Sequence, residues 1–127
     1  MAVVICCDKV LATVEEIYGK PVLSLPKGHV EQGETVLEAA IRECFEETDV
    51  QLNKQHAIRE LPPYRYEFTA PNGQKICKTL CPVLFRLGQE QTPCAKEKRI
   101  LTAEFMPIDQ FVQNCPYDNV RKIFEQL

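Results

Sequence analysis

Hydrophobic positions along the chain fall into short apolar runs separated by turn residues, with one stretch of helical periodicity among them. Ala2 to Cys7 and Val10 to Val14 predict two strands around an Asp8-Lys9 turn, a hairpin. Glu15 to Lys20 is predicted to loop out. Val22 to Leu25 makes a third strand, which Pro26-Lys27-Gly28-His29 breaks. Leu37, Ala40, Ile41, Cys44 and Thr48 then recur at i, i+3, i+4, i+7 and i+11, with Phe45 on the flank, so one face of a helix can pack on a core. Thr35 followed by Glu38 forms a capping-box pattern at its start.

Beyond Val50 the pattern returns to strands. A polar linker, Gln51 to Gln55, leads to Ala57–Leu61 and the break at Pro62-Pro63. Tyr64 to Phe68 alternates strictly; the turn Pro71-Asn72-Gly73 and a long run from Lys75 to Leu87 complete a second hairpin. Tyr64, Tyr66 and Phe68 share one face, which reads mainly as core. A sharper reading has a rim tyrosine such as Tyr66 stacking on a base while Arg65 or Lys78 meets phosphate. Gly88 to Arg99 is a polar loop, and Ile100 to Met106 the last strand. Pro116 opens a final helix with Tyr117, Val120, Ile123, Phe124 and Leu127 as its apolar stripe.

The chemistry concentrates on the periodic stretch. Glu43, Glu46 and Glu47 fall within an arc of about 100° on one turn, predicted to face outward opposite the apolar stripe. Like charges at this spacing each cost a helix roughly 0.2–0.5 kcal/mol, so the cluster serves stability poorly and a divalent cation well. With no thiolate or imidazole in the set, Mg²⁺ is favoured, with Mn²⁺ as the alternative. Glu38 is explained by the cap. Glu34, near the positive end of the helix, is placed to receive Arg42 or to add a ligand.

From Gly28 to Val50 the chain resembles the Nudix hydrolases. Their signature of Gly, five residues, Glu, seven residues, Arg-Glu, an aliphatic, any residue, Glu-Glu, any residue, Gly and an aliphatic is met by Gly28, Glu34, Arg42, Glu43, Glu46, Glu47 and Val50. Cys44 stands at the first aliphatic position and Asp49 where Gly is usual. Asp49 is expected to take the left-handed position that ends the helix, at a local cost of roughly 1 kcal/mol. The resemblance implies an α/β fold, an α/β/α sandwich with a mixed β-sheet between helices, and Pro107 to Val112 resembles the short helical turn common at that place in the family.

It further implies metal held by Glu43, Glu46, Glu47 and Gly28, with Arg42 orienting Glu43 or Glu34. Many Nudix enzymes bring one more Glu from the loop before the last strand; here that is Glu97, with Glu90 second, so either Glu43 or Glu97 is the general base. The quartet Pro26-Lys27-Gly28-His29 is similar to that of the diadenosine polyphosphate hydrolases, which places Lys27 against phosphate. His29 is read as a packing or hydrogen-bonding residue. Pro82, near the place where that subgroup offers an adenine-stacking aromatic, departs from its pattern.

Composition narrows the rest. The 127 residues suit one domain, 1–127. Net charge −3 and a pI near 5.4 argue against a nucleic-acid polymer as partner and leave a small nucleotide held through metal. Seven cysteines, an odd number with no CxxC pair, read as reduced thiols of a cytoplasmic protein, and no apolar run approaches membrane-spanning length. Monomer and homodimer both remain open. Three functions follow: hydrolysis of a nucleoside di- or polyphosphate derivative, foremost a diadenosine polyphosphate; a nucleotide-sanitising triphosphate pyrophosphatase; and a non-catalytic nucleotide sensor.

Overall fold

A computed structural model describes all residues, 1–127. Eight strands and three helices follow in the order β1 (Ala2–Cys6), β2 (Lys9–Ile17), β3 (Lys20–Ser24), α1 (Val36–Thr48), β4 (Ala57–Glu60), β5 (Tyr64–Thr69), β6 (Lys75–Leu80), β7 (Val83–Arg86), β8 (Ile100–Pro107), α2 (Ile108–Asn114) and α3 (Asp118–Ile123). Six strands form one mixed sheet: β1 and β7 are parallel, while every other pairing is antiparallel. β2 organises it. β8 runs along one edge of β2, and β1 and β3 share the other edge at its two ends. β5 and β6 form a separate hairpin.

β1 is buried along its whole length and divides its side chains between two cores. Val3 and Ile5 join Leu84, Phe111, Val120 and Ile123 on the face covered by α2 and α3. Ala2, Val4 and Cys6 join Ala40, Cys44, Phe85 and Phe105 on the face covered by α1. The result is the expected α/β/α sandwich.

Several expected boundaries shift, each for a local reason. The predicted loop Glu15 to Lys20 is instead the continuation of β2 into β3, closed by a two-residue turn in which Tyr18 (φ 50°) and Gly19 (φ 77°) are both left-handed. The first hairpin turns at Cys7-Asp8, one residue early, with Cys7 at φ 57°. The long run to Leu87 splits at Cys81-Pro82, since proline cannot donate to a ladder, and its halves enter different sheets. α3 begins at Asp118 with Tyr117 as its cap, so Pro116 lies outside it; Val120 and Ile123 are buried, whereas Tyr117 and Leu127 are exposed. Tyr64, Tyr66 and Phe68 are half-buried, with Tyr64 and Tyr66 against the core edge.

α1 starts and stops as its sequence dictates. Glu38 N–H donates to Thr35 Oγ1 at 3.1 Å and Thr35 N–H donates to Glu38 Oε1 at 3.0 Å, closing the capping box. Asp49 ends the helix at φ 62°, ψ 9°, where its N–H donates to the Phe45 carbonyl. Asp49→Gly relieves that left-handed backbone and is expected to raise unfolding free energy by about 0.5–1 kcal/mol in urea titration; an unchanged or lower value would show that the Lys96 contact to Asp49, 3.3 Å, matters more.

Candidate functional site

α1 turns its acids in two directions, and Glu43 and Glu47 do not face outward as predicted: they are 8% and 1% exposed. The helix buries Ala39, Ala40, Glu43, Cys44, Glu47 and Thr48, while Leu37 and Ile41 are only half-buried, so the packed face is rotated toward the acids. Arg42 answers most of the resulting charge. Its Nε donates to Glu34 Oε2 at 2.7 Å, Nη1 to Glu43 Oε1 at 2.7 Å and Glu46 Oε2 at 3.1 Å, and Nη2 to Glu34 Oε1 at 3.0 Å and the His29 carbonyl at 2.9 Å. The hydrogen bonds to Glu34 first, then those to Glu43 and Glu46, raise the guanidinium pKa; the Arg42 contact holds the Glu34 carboxyl below its ordinary range.

Gly28 makes the second constraint. A Cβ on Gly28 would overlap the Glu43 carboxylate, so a side chain there would push Glu43 away from the position in which Arg42 holds it. This is a close approach, not a left-handed turn.

The loop before β8 is tied to the end of α1. Cys94 N–H donates to the Thr48 carbonyl at 2.8 Å, Lys96 N–H to the Glu47 carbonyl at 3.3 Å, and the Lys96 ammonium sits 3.7 Å from the Phe45 ring centre. Arg99 is thereby delivered to the acids. Its guanidinium hydrogen-bonds Glu15, lies 3.5 Å from Glu47 Oε2 and donates to Glu97 Oε2 at 3.3 Å. Glu97 therefore stands beside the cluster, joined through Arg99. Glu90 pairs with Lys9 at 3.5 Å and takes no part.

Glu15 and Arg99 are the residues that the sequence reading passed over. Glu15 is 6% exposed and accepts from Lys27 Nζ at 2.9 Å as well as from Arg99. Burial opposes its charge, but Lys27 and Arg99 outweigh burial and keep it below the usual carboxylate range. A charged residue within an apolar strand must find such partners, and that was the available signal.

A cavity of about 770 Å³ opens from this charged corner. Glu15, Lys27, Gly28 and Arg99 line one part; Tyr64, Tyr66, Phe68, Lys78, Tyr18, Tyr117 and Asn119 line others. Lys78 lies opposite Tyr66 across the β5–β6 ladder and 5.8 Å from the Phe68 ring centre. Arg65 falls on the other face of β5, exposed and against Cys77 Sγ, outside the cavity lining. Two hydroxyls in the wall, Ser24 Oγ and Tyr64 Oη, are buried without partners.

Metal fit can be tested on the side chains. No three His, Cys, Asp or Glu groups converge on one point, because Arg42 draws Glu43 and Glu46 to itself while Glu47 lies inside. The donor chemistry nevertheless suits a hard cation: Arg42 occupies one oxygen each of Glu43 and Glu46, and both oxygens of Glu47 are buried with no hydrogen-bond partner. Burial, opposed by Arg99 and Lys27 and aided by Glu43 and Glu15, pushes the Glu47 carboxyl up to about 8.

Comparison with known proteins gives the family and the fold. A family model described as the NUDIX domain matches residues 1–127. The phosphatase NudJ of Escherichia coli is 47% identical over 79 residues, covering 56% of this chain and 51% of that protein, so the chain spans about half the length of the curated relatives it matches. Among solved structures, the E. coli dihydroneopterin triphosphate pyrophosphohydrolase superposes with a TM-score of 0.75 at 19% identity, over 100% of this chain and 91% of that one. A Caenorhabditis elegans Ap4A hydrolase gives 0.73 at 18%, over 98% and 90%. The NUDIX domain of Shewanella oneidensis NrtR, solved with ADP ribose, gives 0.77 at 16%, over 98% and 81%. At these identities the structural likenesses establish the fold.

Glu47 makes metal-free stability depend on pH with a definite sign. Its folded pKa of about 8 exceeds the ordinary 4.5, so the folded state holds a proton that the unfolded chain has lost between those values. That contribution is complete below about pH 4.5 and is lost as pH rises through about 8. In chelator, the melting temperature of the native protein should therefore fall relative to that of Glu47→Gln between about pH 5 and 8. Parallel curves would mean that Glu47 is ionised throughout.

Proposed function

The chain belongs to the NUDIX domain family, and from that premise we propose that it hydrolyses a phosphoanhydride bond in a nucleoside di- or polyphosphate derivative, with diadenosine polyphosphates as the first substrate class. The observation that carries this reading is the junction at Gly28. One cavity has aromatic walls at Tyr64, Tyr66 and Phe68, a cationic corner at Lys27 and Arg99, and, across Gly28, the carboxylates of α1. A planar base and an anionic chain fit those two environments in that order.

Mg²⁺, or Mn²⁺, would be held by Glu43, Glu46 and Glu47, with Gly28 leaving room beside Glu43. The chemistry that a divalent cation supplies in such a seat is neutralisation of phosphate oxygens and a lower pKa for a bound water. Arg42 keeps Glu43 and Glu34 oriented through its fork, holding one Glu43 oxygen and leaving the other outside that hydrogen bond. Glu43 or Glu97 takes the proton of the attacking water; Glu97 does so only after leaving Arg99. Tyr66 stacks on the base, and Lys27 and Lys78 meet the phosphates. Arg65 drops out of that set because it points away from the cavity.

A second reading is favoured by the cavity itself. Its stacking surface on β5, at Tyr64, Tyr66 and Phe68, serves one base, which suits a nucleoside triphosphate pyrophosphatase as well as one half of a dinucleotide. The products separate the two. Chromatography of reactions with Mg²⁺ and diadenosine tetraphosphate, ADP-ribose, common and oxidised nucleoside triphosphates, or an inositol pyrophosphate should show a mononucleotide plus the remaining nucleoside polyphosphate for the dinucleotide, against pyrophosphate release for a triphosphatase. Glu47→Gln should lower kcat by about 100-fold or more. Full turnover in that variant would remove Glu47 from the site, and silence of the native protein across the panel would favour a sensor.

A further inference from the structure

We propose that Glu15 is a positioning residue that holds Lys27 and Arg99 as a two-cation cradle for the anionic chain of the substrate. The ligand's identity rests on the phosphoanhydride reading above; the cradle itself rests on β2, β8 and the loop after β3. Glu15 lies where the β2–β8 register shifts: Val14 is opposite Thr102 but Glu15 is opposite Ile100, so β8 carries one extra residue, Leu101. Such a bulge re-aims the side chains around it. Next to it the Glu16 N–H donates to the Arg99 carbonyl at 2.8 Å, which fixes the backbone from which the Arg99 guanidinium reaches Glu15.

Each Glu15 oxygen serves one cation. Oε2 takes Lys27 Nζ at 2.9 Å and Oε1 takes Arg99 Nη1. The carboxylate is nearly inaccessible, whereas the Arg99 side chain is 47% exposed and the Lys27 side chain 16%, and all three line the cavity. A buried ion pair kept only for stability is a poor investment, since apolar side chains of similar volume do as well or better. Here one acid in the wall restrains two long, rotamer-rich cations, both of which line the cavity. Arg99 also contacts Glu47 and Glu97, so an incoming phosphate that recruits the guanidinium draws it away from both carboxylates.

Coulomb's law and positioning make opposite predictions for Glu15→Gln. Removing an anion near an anion site strengthens phosphate binding if charge alone matters; loss of the restraint on two cations weakens it. Inorganic tripolyphosphate in chelator at low ionic strength is the probe, because it has no base and needs no metal. Isothermal titration should show salt-sensitive binding to the native protein, about tenfold weaker in Lys27→Gln and several-fold weaker in Glu15→Gln. Arg99→Lys keeps the charge but loses the fork, and should also weaken binding several-fold; it decides the matter if Glu15→Gln fails to fold. With a turned-over nucleotide, the Glu15→Gln loss should fall on KM more than on kcat.

Absence of tripolyphosphate binding by the native protein overturns the cradle, as does binding to Glu15→Gln or Arg99→Lys as tight as native. Tripolyphosphate binding with no turnover of any nucleotide supports the cradle and contradicts the hydrolase reading. Turnover with unweakened binding in Glu15→Gln does the reverse.

Discussion

Arg42 is the interaction on which the acidic face of α1 depends. Glu43, Glu46 and Glu47 on one turn repel one another, and two of them are buried, where the cost of an unpaired charge rises steeply. A single planar cation with five donors meets Glu34, Glu43, Glu46 and the His29 carbonyl at once. Lysine in its place could neutralise one of them. Glu47 is the member that Arg42 does not reach, and it ends with two buried oxygens unsatisfied, facing Arg99 at 3.5 Å.

The rest of the site follows from what is tied to α1. Gly28 lets the loop after β3 close onto Glu43, and backbone hydrogen bonds from Cys94 and Lys96 bring the loop before β8 onto the last turn of the helix. These two segments carry Lys27 and Arg99, and Glu15 on the central strand joins them. The β5–β6 hairpin, outside the main sheet, adds the aromatic wall. No helix is long and apolar enough to cross a membrane.

What could be read from the sequence was local. The capping box, the left-handed Asp49 and the Arg42–Glu34 pair lie within one helix and its approach, where spacing alone sets geometry. The sandwich was legible only through the resemblance carried by Gly28 to Val50; the apolar run of β1, buried on both faces, was read simply as one strand of a hairpin. The Tyr18-Gly19 turn was missed because a tyrosine seldom takes φ 50°, and the burial of Glu43 and Glu47 because a charge run ordinarily marks the solvated face. Glu15 and Arg99 are 84 residues apart and meet only in the folded chain, where β2 meets the start of β8, so no motif announces them. Arg65 and Lys78 were indistinguishable as cations of one hairpin until strand register put them on opposite faces.

We propose that the unsatisfied carboxylate of Glu47 is retained for a divalent cation. Titration of Mn²⁺ into native protein and Glu47→Gln, followed by loss of the free-ion electron paramagnetic resonance signal, tests this without any substrate. The native protein should take up Mn²⁺, and the variant should bind it at least about tenfold more weakly, since it loses a charged oxygen ligand. Equal binding by the two proteins, or none by the native protein, would contradict it.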